Sequence, residues 1–545
     1  MTAAFWLGDV ETPMRDDVTL RADVWHHGEP RPAVLFRTPY GRRLISSDVL
    51  RPADCVHGGF AAVCQDTRGR FGSEGDWEPI MWDQEAHDAY DTVEWVARQE
   101  WCDGRVILAG TSYGGIVSFL GAAERPPSLA GVAAAMVTSG SRDLRELGGA
   151  MRLEQVVSWL LYMAADWLRR RPEDADAETV ATLHALLLDP EPALTALPLA
   201  DGPLARLRGF PIDIPALLAG RVPTTPEWEP AAIEVPVFVT TGWFDVFASA
   251  TIDAFRDAVR AHPDLPHRLV VGPWAHTGPL PHHTGELNFG ITASAGAAAV
   301  PAQQLAFFAD PAAAAPRHEV GYFLMGADQW RTADAWPPRA ARARVLHPTP
   351  AGGLGHEPAP AGTVDGYAHD PLDPVPSRGG RVIHLGRSTP GPIDLGRQLD
   401  RPDVLSYLTA ELDEPLDVVG GVRADLTVSV SRPDADLVVR LVDVRPDGRV
   451  YPVAEGVARL SHVLGRPADD TPTRVRVDLG YAAQRFGRGH RLGLLVAGSA
   501  FPHLDRNLST GAPSSTSAEA RTVVVDLHLA ESALSLDVLP QEGRP

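Results

Sequence analysis

The segment Val106 to Gly115, Val-Ile-Leu-Ala-Gly-Thr-Ser-Tyr-Gly-Gly, restricts how this chain can fold more than any other. The apolar run Val106 to Ala109 has the length and character of a buried strand, and an apolar helical pattern follows from Ile116 to Ala123. Between them stands Gly110-Thr111-Ser112-Tyr113-Gly114. A chain that passes from strand to helix this abruptly needs bare backbone around the bend, which the flanking glycines supply. The serine takes the strained position, with its hydroxyl above the sheet and the next backbone N–H free to hold an oxyanion. A serine alone is a weak nucleophile, so the reading demands a base and a residue that orients the base. The bland alternative is a glycine-rich turn with an inert serine.

Flanking patterns support a parallel sheet. Val18 to Trp25, Ala33 to Arg37, Phe60 to Gln65, Arg105 to Ala109 and Val132 to Val137 read as strands. Trp82 to Gln99 has helical spacing, with Ala86, Tyr90, Val93 and Val96 on one face. Alternating strands and helices imply a mostly parallel sheet covered on both faces. From about Ser141 to Ile233 the character turns helical, notably over Leu153 to Leu168 and Ala177 to Leu187. Strand patterns then return at Val235 to Thr240 and Arg268 to Val271. The helical stretch is therefore an insertion, placed as a cap over the carboxyl ends of the strands, where open α/β sheets bind ligands. Residues 346 to 380, rich in Gly, Pro and Asp, read as a linker. Beyond them Ala424 to Ser429, Asp436 to Val444, Val475 to Gly480, Arg491 to Ala497 and Thr522 to Leu529 alternate at least in part, and Arg445-Pro446-Asp447-Gly448 is a hairpin signal. This is an all-β sandwich of the jelly-roll kind.

Composition removes several mechanisms. All 49 basic residues are arginine. Without lysine there can be no Schiff base, no pyridoxal-phosphate chemistry, no P-loop and no Ser-Lys pair. A net charge of −21 argues against nucleic acid or an anionic membrane as partner. No apolar stretch nears the roughly 18 residues that span a bilayer. Three cysteines (Cys55, Cys64, Cys102) make neither a disulfide framework nor a metal clip. With no secretory signal in the opening residues, cytoplasmic residence is expected. No metal set has credible spacing, His282-His283 reads as a solvated pair, and no cofactor is expected.

In such a sheet the acid and the base follow the serine, each just past a strand end. Val235 to Thr240 runs into Thr241-Gly242-Trp243-Phe244-Asp245. Arg268 to Val271 runs into Gly272-Pro273-Trp274-Ala275-His276. His276 is thus the candidate base and Asp245 the residue that fixes its tautomer. Asp253 and Asp257 are rival acids, but they fall on the following helix. The backbone N–H of Tyr113 is one oxyanion donor by geometry. Tyr40, after the strand Ala33 to Arg37, could supply another through its phenol or could be a core aromatic. Trp159, Tyr162, Met163 and Trp167 form a stripe at helical spacing that reads as core or as a wall facing a ligand.

Taken together, Arg37-Thr38-Pro39-Tyr40, Gln65-Asp66-Thr67-Arg68-Gly69-Arg70-Phe71-Gly72-Ser73-Glu74-Gly75, Gly110 to Gly115, Gly242 to Asp245 and Gly272 to His276 resemble the CocE/NonD hydrolase family. Asp370-Pro371-Leu372-Asp373-Pro374-Val375-Pro376 and Asp505-Arg506-Asn507-Leu508 resemble its carboxyl-terminal signatures. The resemblance spans nearly the whole chain. It implies an α/β-hydrolase domain (1–140 and 235–345), an inserted helical cap (141–234) and a C-terminal jelly-roll domain (346–545). It implies Ser112, Asp245 and His276 as the catalytic triad, Tyr40 and Tyr113 as the oxyanion hole, and Phe247 as an acyl-pocket aromatic. Trp159 and Trp167 are further candidates for the substrate wall. Dimers occur in the family, which leaves a homodimer open. The turn Asp66 to Gly75 lacks the lysine of a phosphate loop and reads as a structural turn held by Arg68.

The expected activity is hydrolysis of a carboxylic ester, or of an amide, through an acyl-enzyme on a small-molecule substrate. Transfer of the acyl group to an amine, an alcohol or an internal nucleophile is a second reading. An X-prolyl dipeptidyl aminopeptidase is a third, although the acidic cluster that would hold a substrate amine is not evident. A non-enzymatic binding protein built on the sandwich is a fourth.

Overall fold

The structure is a computed structural model that describes residues 4–45, 49–78, 82–138, 144–221, 228–276, 280–311, 317–383 and 388–540. Ten strands make the first sheet: β1 (Phe5–Pro13), β2 (Thr19–His26), β3 (Arg31–Thr38), β4 (Ala61–Asp66), β5 (Cys102–Thr111), β6 (Leu129–Ala135), β7 (Val237–Phe244), β8 (His267–Ala275), β9 (His318–Leu324) and β10 (Gln329–Ala333). Their order is β1-β2-β4-β3-β5-β6-β7-β8-β9-β10. Pairing is parallel from β4 through β9 and antiparallel at β1–β2, β2–β4 and β9–β10.

The central strands β3 to β8 are mostly apolar and buried because both faces are covered. Along β3 and β5 alternate residues enter different cores. Ala33, Leu35, Val106 and Leu108 join one cluster with helices α1 (Trp82–Ala97), α2 (Tyr113–Ala123) and α3 (Ala248–Ala261). Val34, Phe36, Ile107 and Ala109 join the other with Phe307 and Phe308 of a helix over Val300–Ala309. Helix α2 is buried from Tyr113 to Ala122. It lies so close to α1 that a Cβ on Gly121 would stand 2.4 Å from that of Ala89.

The inserted segment carries the helix α4 (Leu153–Arg170), followed by Ala177–Leu188, Glu191–Thr195 and Ile214–Leu218. These elements share a third core around Val157, Leu160, Met163 and Leu217. The sequence limit at 140/141 falls outside the described residues.

The C-terminal part is mostly β, with a short α-helix at Leu460–Leu464. Ten strands join in one largely antiparallel arrangement around a main core that includes Leu426, Leu437, Val477, Leu494 and Leu527, with smaller clusters beside it. The period of two is plain in Thr473–Phe486, where Val475, Val477 and Leu479 are buried between exposed neighbours. The stretch 346–380 is not a linker. Arg342–Thr349 and Val364–His369 both pair with Val523–Val538, and Gly353–Gly355 pairs with Arg342–Thr349. Its glycines and prolines punctuate short strands instead of marking a loose connection.

The C-terminal part also grips the rest of the chain. Asp505 Oδ1 accepts the Met151 N–H at 2.7 Å, and the Arg506 guanidinium donates to the Thr195 carbonyl at 2.6 Å. The Glu154 N–H donates to the Pro502 carbonyl at 3.1 Å. Arg381 donates to the carbonyls of Trp243, Leu479 and Tyr481.

Candidate functional site

Strands β5, β7 and β8 run in the same direction, so their carboxyl ends share one rim of the sheet. Ser112 follows β5 directly, with φ +57° and ψ −120°. This is a conformation that a side-chain-bearing residue adopts only under constraint. The constraint is visible: the Ser112 N–H donates to the Ala135 carbonyl, and its own carbonyl opens helix α2 by accepting from Ile116, both at 2.9 Å. A Cβ on Gly110 would stand 2.5 Å from the carbonyl carbon of Gly114. Gly110→Ala is therefore expected to cost about 1–3 kcal/mol through overpacking. An unchanged thermal midpoint in that variant would contradict the tight packing of this bend.

His276 follows β8, and its Nε2 lies 3.0 Å from Ser112 Oγ. Its Nδ1 lies 2.7 Å from Asp245 Oδ1. A carboxylate can only accept, so in the neutral imidazole Nδ1 carries the proton and Nε2 is the acceptor facing the serine hydroxyl. Asp245 follows β7, is fully buried, and takes a second hydrogen bond at 2.7 Å from the Thr241 hydroxyl on Oδ2. Such a relay can draw a proton from a hydroxyl into an imidazole while a fixed negative charge waits behind it.

Tyr40 and Tyr113 flank the serine, their rings 6.2 Å apart and edge to face. The Tyr40 oxygen accepts the indole N–H of Trp159 at 3.2 Å, which leaves its own O–H free to donate. Burial pushes its phenol up to about 12, so it holds its proton at neutral and moderately alkaline pH. Burial likewise raises the Tyr113 phenol, which donates to Glu85 Oε1 at 2.9 Å. Glu85 lies against Arg37 at 3.1 Å.

The turn Asp66 to Gly75 sits behind Tyr40. Arg70 donates to the Pro39 carbonyl at 2.7 Å and pairs with Asp166 of α4, while Arg68 bridges Asp88 and Asp16. Asp66 in turn accepts the Arg42 N–H at 2.6 Å. Two more arginines thus share the work assigned to Arg68, and one of them ties the Tyr40 loop to the cap.

A cavity of about 110 Å³ opens beside Ser112. Tyr40, Trp82, Ile116, Val156, Trp159 and Phe247 make much of its wall. Phe247 lies edge to face on the His276 ring at 5.3 Å. Among the described residues no group of His, Cys, Asp and Glu could hold a metal ion. No helix among them is long and apolar enough to cross a membrane.

The comparisons with known proteins bear on this geometry. The X-Pro dipeptidyl-peptidase (S15 family) model matches residues 16–278, and the X-Pro dipeptidyl-peptidase C-terminal non-catalytic domain matches 313–533. Cocaine esterase of Rhodococcus sp. (strain MB1 Bresler) is 34% identical, over 92% of each chain. This chain belongs to the CocE/NonD hydrolase family. Solved structures share the fold of this CocE/NonD chain. An aminopeptidase from a marine sediment Thaumarchaeota archaeon superposes with a TM-score of 0.77 at 24% identity, covering 98% of this chain and 97% of that one. An α-amino acid ester hydrolase does so with 0.75 at 23%, covering 98% and 96%.

Within the CocE/NonD chain the structure brings Ser112, Asp245, His276, Tyr40, Tyr113, Phe247 and Trp159 together and leaves Trp167 out. The Trp167 indole donates to the Gly209 carbonyl at 2.9 Å, and its ring packs 5.7 Å from Trp77 inside the cap. The helical stripe on α4 divides along its length: residues four apart share a face but stand about 6 Å apart along the axis, so Trp159 reaches the cavity while Met163 and Trp167, farther along, stay in the cap core. Sequence reasoning passed over Trp82, Val156, Ile212, Leu217 and Ile383 in the wall. Their apolar character looks like any core residue. It also passed over Thr241, which sits four residues before Asp245 with no signal of its own.

Proposed function

We propose that this CocE/NonD chain is a serine hydrolase of carboxylic esters that works through an acyl-enzyme on Ser112. The observation that carries the proposal is the pair of hydrogen bonds joining Asp245, His276 and Ser112. As Ser112 Oγ attacks the acyl carbon, His276 Nε2 takes its proton, and the Asp245 carboxylate stabilises the imidazolium. The oxyanion of the tetrahedral intermediate accepts from the Tyr113 N–H and the Tyr40 O–H. His276 then gives its proton to the leaving alkoxide. Water, deprotonated by the same imidazole, releases the acid and restores the serine. Phe247 and Trp159 belong to the apolar wall that shelters these steps from bulk water.

The ester reading is favoured over the aminopeptidase one by the cavity. No carboxylate stands among its described lining residues to hold a substrate's α-ammonium group. The relative at 34% identity is named for an esterase. The partner is accordingly a small-molecule ester and not a nucleic acid, in keeping with the charge of −21. Three free, buried cysteines fit a cytoplasmic enzyme. The parts divide as a hydrolase domain (1–140, 235–345), a cap (141–234) and a jelly-roll domain (346–545), with the last junction drawn back to the strand that begins at Arg342.

A fluorophosphonate probe followed by peptide mass analysis tests the proposal, as does a panel of aryl and alkyl esters. Label on the peptide containing Ser112 and release of free acid are expected. Label elsewhere, or none, overturns it. Tyr40→Phe is expected to lower kcat about 10²- to 10³-fold with little change in KM, because the lost donor meets charge that exists only in the transition state. A loss confined to KM would instead assign Tyr40 to ground-state binding.

A further inference from the structure

Gln155 is the one neutral amide among the described residues that line the cavity. It lies in the first turn of α4 and is 8% exposed. Its Nε2 donates to the Leu144 carbonyl at 2.7 Å. That bond settles which end of the amide is which, since the reverse orientation would set oxygen against oxygen. The oxygen Oε1 is buried and has no hydrogen-bond partner among the described residues. A buried acceptor left unpaired is costly, and native proteins seldom keep one without a use. Arg145, the charged residue among those described in this wall, does not answer it. Its guanidinium pairs with Glu146 and faces the Leu217 carbonyl. Elsewhere in the described wall Ser112 and the Tyr113 phenol are engaged, the free Tyr40 O–H is taken by the oxyanion in the proposed mechanism, the Trp82 indole N–H is a second unpaired polar group, and the rest is aromatic or aliphatic.

We infer that Gln155 is a specificity-determining residue whose Oε1 accepts a hydrogen bond from the substrate. The preferred esters are those whose otherwise apolar body carries a hydroxyl or N–H. The inference rests on the ester-hydrolase reading and narrows it. The gain comes from pairing an acceptor that is already desolvated, so a matched substrate is favoured twofold in kind: it forms a bond and removes an orphan. An ether oxygen in the same place has no proton to give and gains nothing.

Two ester series test this. In the first, p-nitrophenyl 3-phenylpropanoate is compared with its 3- and 4-hydroxyphenyl and 4-methoxyphenyl analogues. In the second, the same groups sit on the alcohol half, as 2-phenylethyl acetates. In one series at least, a hydroxylated ester is expected to exceed its parent in kcat/KM by about ten- to a hundredfold, and the methoxy ester not to. Gln155→Met, nearly equal in volume, is expected to bring that ratio close to one. Gln155→Leu serves should the Met variant fail to fold. Equal ratios in wild type and variant, or no hydroxyl preference in either series, overturn the inference. That failure is separate from failure of the parent reading, which shows as absent fluorophosphonate labelling of wild-type Ser112.

Discussion

With Ser112 replaced by alanine, turnover of an aryl ester is expected to slow about 10⁴- to 10⁶-fold, with His276→Ala slowing it by a comparable factor. The reason lies in how the two side chains share one proton across 3.0 Å. Remove the hydroxyl and no atom attacks; remove the imidazole and the hydroxyl keeps its proton. Either loss disables the same step, so the double variant is expected to be no slower than the worse single one. A residual rate above that in water should persist, because the Tyr113 N–H and Tyr40 O–H still meet a developing oxyanion. Burst titration and steady-state kcat on one p-nitrophenyl ester measure all four enzymes. Single losses that multiply in the double variant would show that the two residues act independently, which the proposed relay does not permit.

Asp245→Asn is expected to cost about 10⁴-fold in kcat while the protein stays folded. The native carboxylate accepts on both oxygens, from His276 Nδ1 and from the Thr241 hydroxyl, each at 2.7 Å. An asparagine of the same shape has one acceptor and one donor. The Thr241 hydroxyl goes on donating, now to the asparagine oxygen, and this turns the new NH₂ toward Nδ1. The imidazole then moves its proton to Nε2, where it faces the serine hydroxyl as a donor and can no longer take a proton from it. Complete burial of residue 245 keeps water from substituting for the lost charge. A tenfold loss or less in kcat would mean that another group orients His276.

The placement of Ser112, Asp245 and His276 was readable because it depends on local cues. Each residue stands where an apolar strand pattern stops, and parallel strands put all such stops on one rim. Tyr40 was half readable: its loop was plain, but the Trp159 indole that leaves its hydroxyl free comes from 119 residues away. Periodicity failed where two surfaces compete for one helix, as with Trp167. It failed again at residues 346–380, where strands of three to eight residues are too short to show a period of two. The edge strand Phe5–Pro13 escaped notice because most of its residues are exposed. Gln155 could not have been found at all, since an orphaned oxygen is defined by what fails to surround it.

The grip of the C-terminal strands on the rest of the chain has a practical corollary. The loop holding Asp245 hangs from Arg381 through the Trp243 carbonyl, and the entry to the cap helix hangs from Asp505. The β-rich half is a jig against which the hydrolytic half is trued. Amputating it should misalign a reaction to which it lends no reacting atom. Substrate range, by the same token, can drift under exchanges at positions that no ester ever touches.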